Sequence, residues 1–521
     1  MKSQSPDKWK NRFWQLTIVF AALLSVIVTG CSPHLKAEDR KRDIEFLAHW
    51  AEDYSPFVEL NEKLKGCPGY KSLKPQYVQL AEQADNNKEF LQITYGYFSL
   101  IGQSGHAYLI PEIMLFGLQL GALFDKQSEI SSGQYQKATY WAKLFYQDSF
   151  VHPPFPIVCK GGKYFTDNQW RYKGKIVPRG SEVLKVNGMT CSSYFDYIKH
   201  NTWLRYLPYD VDWIKEDLLI VDEGGDFHGW DVDFLLPDKT THHAFVPAGK
   251  GLDAPFLRPS FWLKRKDNCI CVELQENIGY IRIKSFAGFG KFIEKDRKKI
   301  KKFLENSGGK YTRLIIDVRN NSGGIPYYWA DNLVRPFLEE TVRYKHVTGV
   351  KRKFMTDKEK PVLEQLQMGA SRFAYEESIK EIDPPQGFDG GEWIFYEITR
   401  KMEPQNRYNF KGDIFILIDE GCGSATDDYA NAVKRMEFAT LVGRNTGGGA
   451  AGYFPMITVR LPASGMIFIL EPDLVINPDG SVDELFGTEP DVILPPARLP
   501  ASFTREELLK DEWIKKVITD L

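Results

Sequence analysis

Excess charge is the first thing this chain lacks. Its 67 Lys and Arg stand against 69 Asp and Glu, a formal net charge of −2, so nothing electrostatic favours nucleic acid as a partner. The one dense basic run, Lys298-Lys299-Ile300-Lys301-Lys302, reads as the solvated face of a helix. Seven cysteines include no CxxC pair and no zinc-type spacing, so no metal site is expected. Cys269 and Cys271 fall in a strand-like run and are expected to face opposite ways, without a local disulfide. Gly447-Gly448-Gly449 lacks both the Gly-Lys-Ser/Thr ending of a P-loop and the spacing of a dinucleotide fingerprint, and no nucleotide or other organic cofactor is expected. Internal repeats and low-complexity tracts are missing too. Histidine is scarce, nine in all, so each can be weighed as a base.

The first thirty-one residues look like an export signal. Lys2, Lys8, Lys10 and Arg12 form a basic start, and Phe13 to Val28 is apolar, too short to span a membrane comfortably. The segment closes on Val28-Thr29-Gly30-Cys31, which resembles a bacterial lipobox. The resemblance implies lipidation at Cys31, removal of what precedes it, and a membrane-anchored protein of a bacterial cell envelope. Ser32 after that cysteine would favour an outer membrane if the host has two.

With 521 residues, about three domains are expected. Residues 38–125 show apolar spacing near 3.6, as in Ile44 to Trp50 and Phe90 to Phe98, and read as a helical region. Residues 110–160 fit helix or strand equally. Residues 161–250 read as a β-rich module, in which Val183, Leu184 and Val186 run into an Asn187-Gly188 hairpin signal. Val177 to Met189 resembles the strand-and-turn segment of PDZ domains, without a recognisable carboxylate-binding loop. Residues 270–500 alternate strand and helix, which implies an α/β core with a largely parallel sheet. The whole is thus expected to be multidomain, α/β and α+β.

The chemistry concentrates at Gly421-Cys422-Gly423-Ser424-Ala425-Thr426-Asp427-Asp428. An apolar strand, Ile414 to Ile418, leads in, and a helical pattern from Tyr429 leads out. A serine on a Gly-flanked turn before a helix is held clear of the sheet, and the helix N-terminus offers N–H groups to a nearby anion. Such a serine is a nucleophile for acyl transfer if a base and an oxyanion hole exist. Cys422 is a rival nucleophile that would need a partner to stabilise its thiolate. His106, after a Gly-rich turn at a domain junction, is the base favoured among the histidines. Asn320 to Gly324, at the carboxyl end of a buried strand, could bring backbone N–H groups to the site, with the amide of Ala425 as a second donor. Several carboxylates between Asp483 and Asp491 could hold the histidine, and the residues alone do not choose among them.

Four segments together resemble peptidase family S41, which holds the C-terminal processing and tricorn-like proteases. They are 102–109 (Gly-Gln-Ser-Gly-His-Ala-Tyr-Leu), 314–324 (Leu-Ile-Ile-Asp-Val-Arg-Asn-Asn-Ser-Gly-Gly), 418–427 and 484–491, in the family's order. The resemblance implies a ClpP/crotonase-like core. It implies Ser424 as nucleophile, His106 as base, Glu484 as the acid, Ala425 and Gly323 as oxyanion donors, and Ser104 as a supporting serine. The processing branch uses a lysine base, but Gly449 stands at its position here. Lys434, on the helix after Ser424, should point away. Relatives often carry Asp where Ser104 stands, Ser or Ala for Cys422, and Glu for Asp427.

Two functions of different class follow. The first is an exported, lipid-anchored serine peptidase acting on proteins or peptides without a cofactor, with the PDZ-like module adding a substrate strand to its edge. The second is a binding protein for peptides or hydrophobic ligands on the same scaffold, without turnover. The sequence says nothing of oligomeric state.

Overall fold

The computed structural model describes residues 32–521 apart from 103–105, 113, 116–131, 149–150, 153–156, 161, 167–168, 208–226, 251–267, 289, 357–375, 406, 409, 451, 455, 498 and 501. The expected signal segment with Cys31, and Ser104, lie outside the described residues.

Four helices open the described chain: Ala37–Tyr54, Phe57–Lys65, Tyr70–Gln83 and Asn87–Gly102. The first buries Ile44, Leu47, Ala48 and Ala51, the stripe that a 3.6-residue period puts on one face. These helices share a core with the β-rich region and with the hairpin Ile457–Arg460 and Ile467–Leu470. Asp43, fully buried on the first helix, fixes the turn of that hairpin by accepting from the N–H groups of Ala463 and Ser464, both at 2.8 Å.

In the β-rich region an antiparallel sheet runs in the order Thr241–Pro247, Gly229–Leu235, Glu182–Val186, Lys163–Thr166, Ile157–Lys160. Glu182–Val186 turns through Asn187 and Gly188, at φ 50° and 78°, into Met189–Thr190. Positive φ at both central residues is what the Asn-Gly pair tolerates in a two-residue hairpin.

The region with Ser424 is built on a six-stranded sheet, ordered Cys269–Gln275, Ile278–Ile283, Arg313–Asp317, Asp413–Ile418, Thr440–Gly443, Val492–Ile493. The first pair is antiparallel and the rest are parallel. Helices Lys291–Asn306 and Ala425–Met436 cover one face, and Glu512–Thr519 covers the other.

The expected ClpP/crotonase-like, largely parallel architecture needs correction. Among the strands, parallel pairing is confined to this one sheet, and the other five sheets of the described residues are antiparallel. The long connection from Arg313–Asp317 to Asp413–Ile418 is not a simple helical crossover. It carries Val342–Lys351, Glu376–Ile382 and Trp393–Met402, which pair with one another and with Asp473–Ile476 in an antiparallel sheet. Strand–helix rhythm identifies crossovers but does not reveal hairpins nested inside one.

The expected opposite facing of the two cysteines also fails, although both are free thiols. Cys269 and Cys271 lie on the same face of one strand, with Sγ atoms 3.8 Å apart. Residues two apart on a strand share a face.

Candidate active site

Ser424 is set by its own neighbourhood. The buried strand Asp413–Ile418 ends in a turn that Asp419 organises, its Oδ1 accepting from the N–H groups of Asn320 (2.6 Å) and Gly421 (3.1 Å). Gly423 donates to Asn321 O at 3.2 Å, and the Ser424 N–H donates to Gly448 O at 3.1 Å. Ser424 itself takes φ 54° and ψ −128°. A non-glycine residue held there costs roughly 1–3 kcal/mol. The turn's hydrogen bonds sustain that strain and expose the hydroxyl.

Cys422 points away from the site into the core. It is fully buried, its Sγ–H donates to Val318 O at 3.1 Å, and burial followed by the Asp419 charge pushes its thiol well up. It is therefore held as an unreactive thiol.

His106 reaches Ser424 by strand pairing. Tyr108 and Leu109 pair antiparallel with Ile469 and Phe468, and extending that register by two residues sets His106 opposite Glu471. His106 N–H donates to Glu471 Oε2 at 2.9 Å, His106 Nδ1 lies 3.0 Å from Oε1, and Nε2 lies 2.8 Å from Ser424 Oγ. An ionised carboxylate only accepts, so Nδ1 carries the proton and the Nε2 lone pair faces the serine hydroxyl. The Glu471 side chain is fully buried, whereas His106 keeps 26% of its side chain exposed.

The carboxylate on His106 is thus Glu471, and Glu484 is not. Glu484 sits on the short helix Asp483–Phe486, where its Oε2 accepts from Val475 N–H at 2.9 Å. Burial first, then Asp483 and Glu471, push its carboxyl well up. Spacing along the sequence cannot see the register that selects Glu471. The available signal is an apolar run, Ile467 to Leu470, ending in an acid before Pro472.

The expected oxyanion donors divide. Ala425, first residue of its helix, has an N–H with no acceptor among the described residues. The Gly323 N–H is already given to Asn321 Oδ1 at 3.0 Å. Gly323 serves by close approach: at φ +99°, a Cβ there would stand 2.8 Å from Ser424 Cβ and 2.9 Å from Ala425 N. Its loop is anchored below by Arg319, fully buried, which bonds Asp317 (2.7 Å) and Asp511 (3.0 Å). Although burial pushes Asp317 up, Arg319 and Arg282 overcome it and hold its carboxyl at about 2.

Lysine is not placed as a base. Lys434 turns outward to Glu489 O (2.7 Å) and Asp491 (3.3 Å). A Cβ on Gly449 would lie 3.2 Å from Ser424 N and 3.6 Å from His106 Cε1, so this position borders both the serine and the imidazole. Among the described residues no group of three or more His, Cys, Asp or Glu could hold a metal ion, and no helix is long and apolar enough to cross a membrane.

Residues 277–494 match the model of peptidase family S41. The S41 match contains Gly323, Ser424, Glu471 and Glu484, while His106 lies outside it. No curated protein matches the chain. Among solved structures, mature CPAF complexed with lactacystin is similar at TM-score 0.57 and 15% identity, over 92% of this chain and 97% of that one. A serine-to-alanine mutant of CPAF is similar at TM-score 0.57 and 14% identity, over 92% and 96%. At those identities the likeness is one of fold.

Proposed function

We propose that this chain is a serine peptidase of the S41, tricorn-like kind, acting through Ser424, His106 and Glu471. The observation that carries the reading is the unbroken relay from Glu471 Oε1 through the His106 ring to Ser424 Oγ, at 3.0 and 2.8 Å. Nε2 removes the hydroxyl proton as Oγ attacks a peptide carbonyl. Glu471 fixes the tautomer and steadies the imidazolium that forms. The Ala425 N–H, at a helix start, faces the developing oxyanion. His106 then gives its proton to the leaving amine, and water repeats the cycle on the acyl-enzyme. None of these steps calls for a metal or cofactor.

The same proposal includes export and anchoring through Cys31, on the strength of residues 1–31 alone, and peptide selection by the β-rich region. A fluorophosphonate probe tests the chemistry. We expect labelling of the full chain, lost in Ser424→Ala and strongly reduced in His106→Ala. Unlabelled wild-type protein that nevertheless binds peptides would establish the non-catalytic binder instead. A peptide-library digest then reads the cleavage preference.

A further inference from the structure

The loop behind Ser424 and His106 is held by two buried carboxyls that the relay does not use. On its site-facing side, Gly447 N–H donates to Cys422 O at 2.7 Å, Gly448 O accepts from Ser424 N–H, and Gly449 packs on His106. On its far side, Ala450 N–H donates to Asp483 Oδ1 at 3.0 Å, and Thr446 Oγ1 donates to Asp427 Oδ1. Thr488 joins the two anchors: its N–H donates to Thr446 Oγ1 at 2.6 Å and its hydroxyl to Asp483 Oδ2 at 3.3 Å.

Asp427 and Asp483 are both fully buried and are joined through Thr446 and Thr488. Asp427 Oδ2 meets no N–H or O–H donor. Cations on neighbouring elements hold hydrogen-bond partners outside the pair. Arg400 pairs with Asp428 at 2.7 Å, and Arg435 bonds Asn431, Lys345 O and Ile476 O. Arg435 also faces Asp483, and the acids near the pair are Glu484 beside Asp483 and Glu471 near Glu484. Two buried carboxylates held by the same pair of threonines disfavour double ionisation.

We infer that Asp427 is protonated and donates from Oδ2 to Asp483, and that this shared proton positions Thr446–Ala450 against Ser424 and His106. The inference rests on the peptidase reading for its effect on rate, though not for the proton itself. Burial first, and then Asp483, push the Asp427 carboxyl well up, in the direction that keeps the proton. Its loss at high pH sets two negative charges side by side, spreads the anchors and withdraws Gly448 O from Ser424 N–H. Asp427 and Asp483 are positioning residues, since neither touches the reacting atoms.

The test pairs kcat/KM against pH with infrared spectra of the full chain. Asp427→Asn keeps a donor toward Asp483 and an acceptor for Thr446 but cannot ionise. It should retain neutral-pH activity within about threefold and carry its alkaline fall at least about one pH unit higher than wild type. Wild type should show a protonated-carboxyl stretching band that Asp427→Asn lacks. Thr446→Val, which removes the donor to Asp427 Oδ1, should shift that band, and this arm serves if Asp427→Asn does not fold. An unmoved alkaline limb in a folded Asp427→Asn overturns the positioning role. Absence of the band in wild type overturns the shared proton. If Ser424 neither labels nor cleaves, the peptidase reading falls and the band alone decides the pair.

Discussion

Two halves of the molecule supply the relay by opposite means. The parallel half presents Ser424 through consecutive residues: strand Asp413–Ile418, the Asp419 turn, helix Ala425–Met436. The antiparallel half presents His106 and Glu471 through pairing between chain segments 365 residues apart. The first is a local device with its strain confined to one turn. The second has no local definition, because His106 meets Glu471 only when the Tyr108–Leu109 strand adopts one register on Ile467–Leu470. A slip of one residue would turn the histidine to the other face.

The sharpest way to break this comparison is to exchange the two acids. Glu471→Gln should lower kcat about 10³–10⁴-fold with little change in thermal midpoint, the scale of losing the group that fixes a catalytic histidine's tautomer. Glu484→Gln should act far less on kcat, because its carboxyl bonds Val475 rather than His106. Equal losses measured by steady-state kinetics would remove the distinction. In the parallel half the expected damage is to stability instead. Arg319→Met leaves Asp511 without its buried cation and Asp317 with only Arg282, which should cost about 3–5 kcal/mol in urea unfolding.

Acid supplies a milder probe of the same half. Asp317 sits at about 2 in the fold against an ordinary 3.8. A depressed carboxyl contributes stability above its unfolded value and loses it as pH falls through the folded one. Between pH about 4 and about 2, roughly 2 kcal/mol should disappear. Unfolding curves at stepped pH check this, and Asp317→Asn should flatten that part of the dependence. Lys434→Ala should have the smallest effect, within about 0.5 kcal/mol and without change in kcat, since its bonds lie at the surface.

Legibility in the sequence follows the same division. Ser424, its turn and its helix were readable because a strand, glycines and a helical period stand side by side. The Asn187-Gly188 hairpin was readable for the same reason. His106 was favoured by its junction position, but its carboxylate was misassigned to Glu484, because the S41 resemblance orders segments and does not report strand register. Gly323 was expected as an oxyanion donor, but its amide is spent on Asn321, a side-chain bond that the glycine-rich sequence does not reveal. The largely parallel core failed as an expectation because strands such as Val342–Lys351 and Trp393–Met402 pair with each other inside what reads as one crossover.

Asp43 gripping Ala463 and Ser464 sets a timetable. Synthesis delivers the opening helices and His106 first, yet their docking surface is the hairpin that leads into Glu471, 365 residues after His106. Until that hairpin emerges, the imidazole has no carboxylate and the serine has no base. The relay is complete only once segments lying on both sides of Ser424 in the sequence have docked.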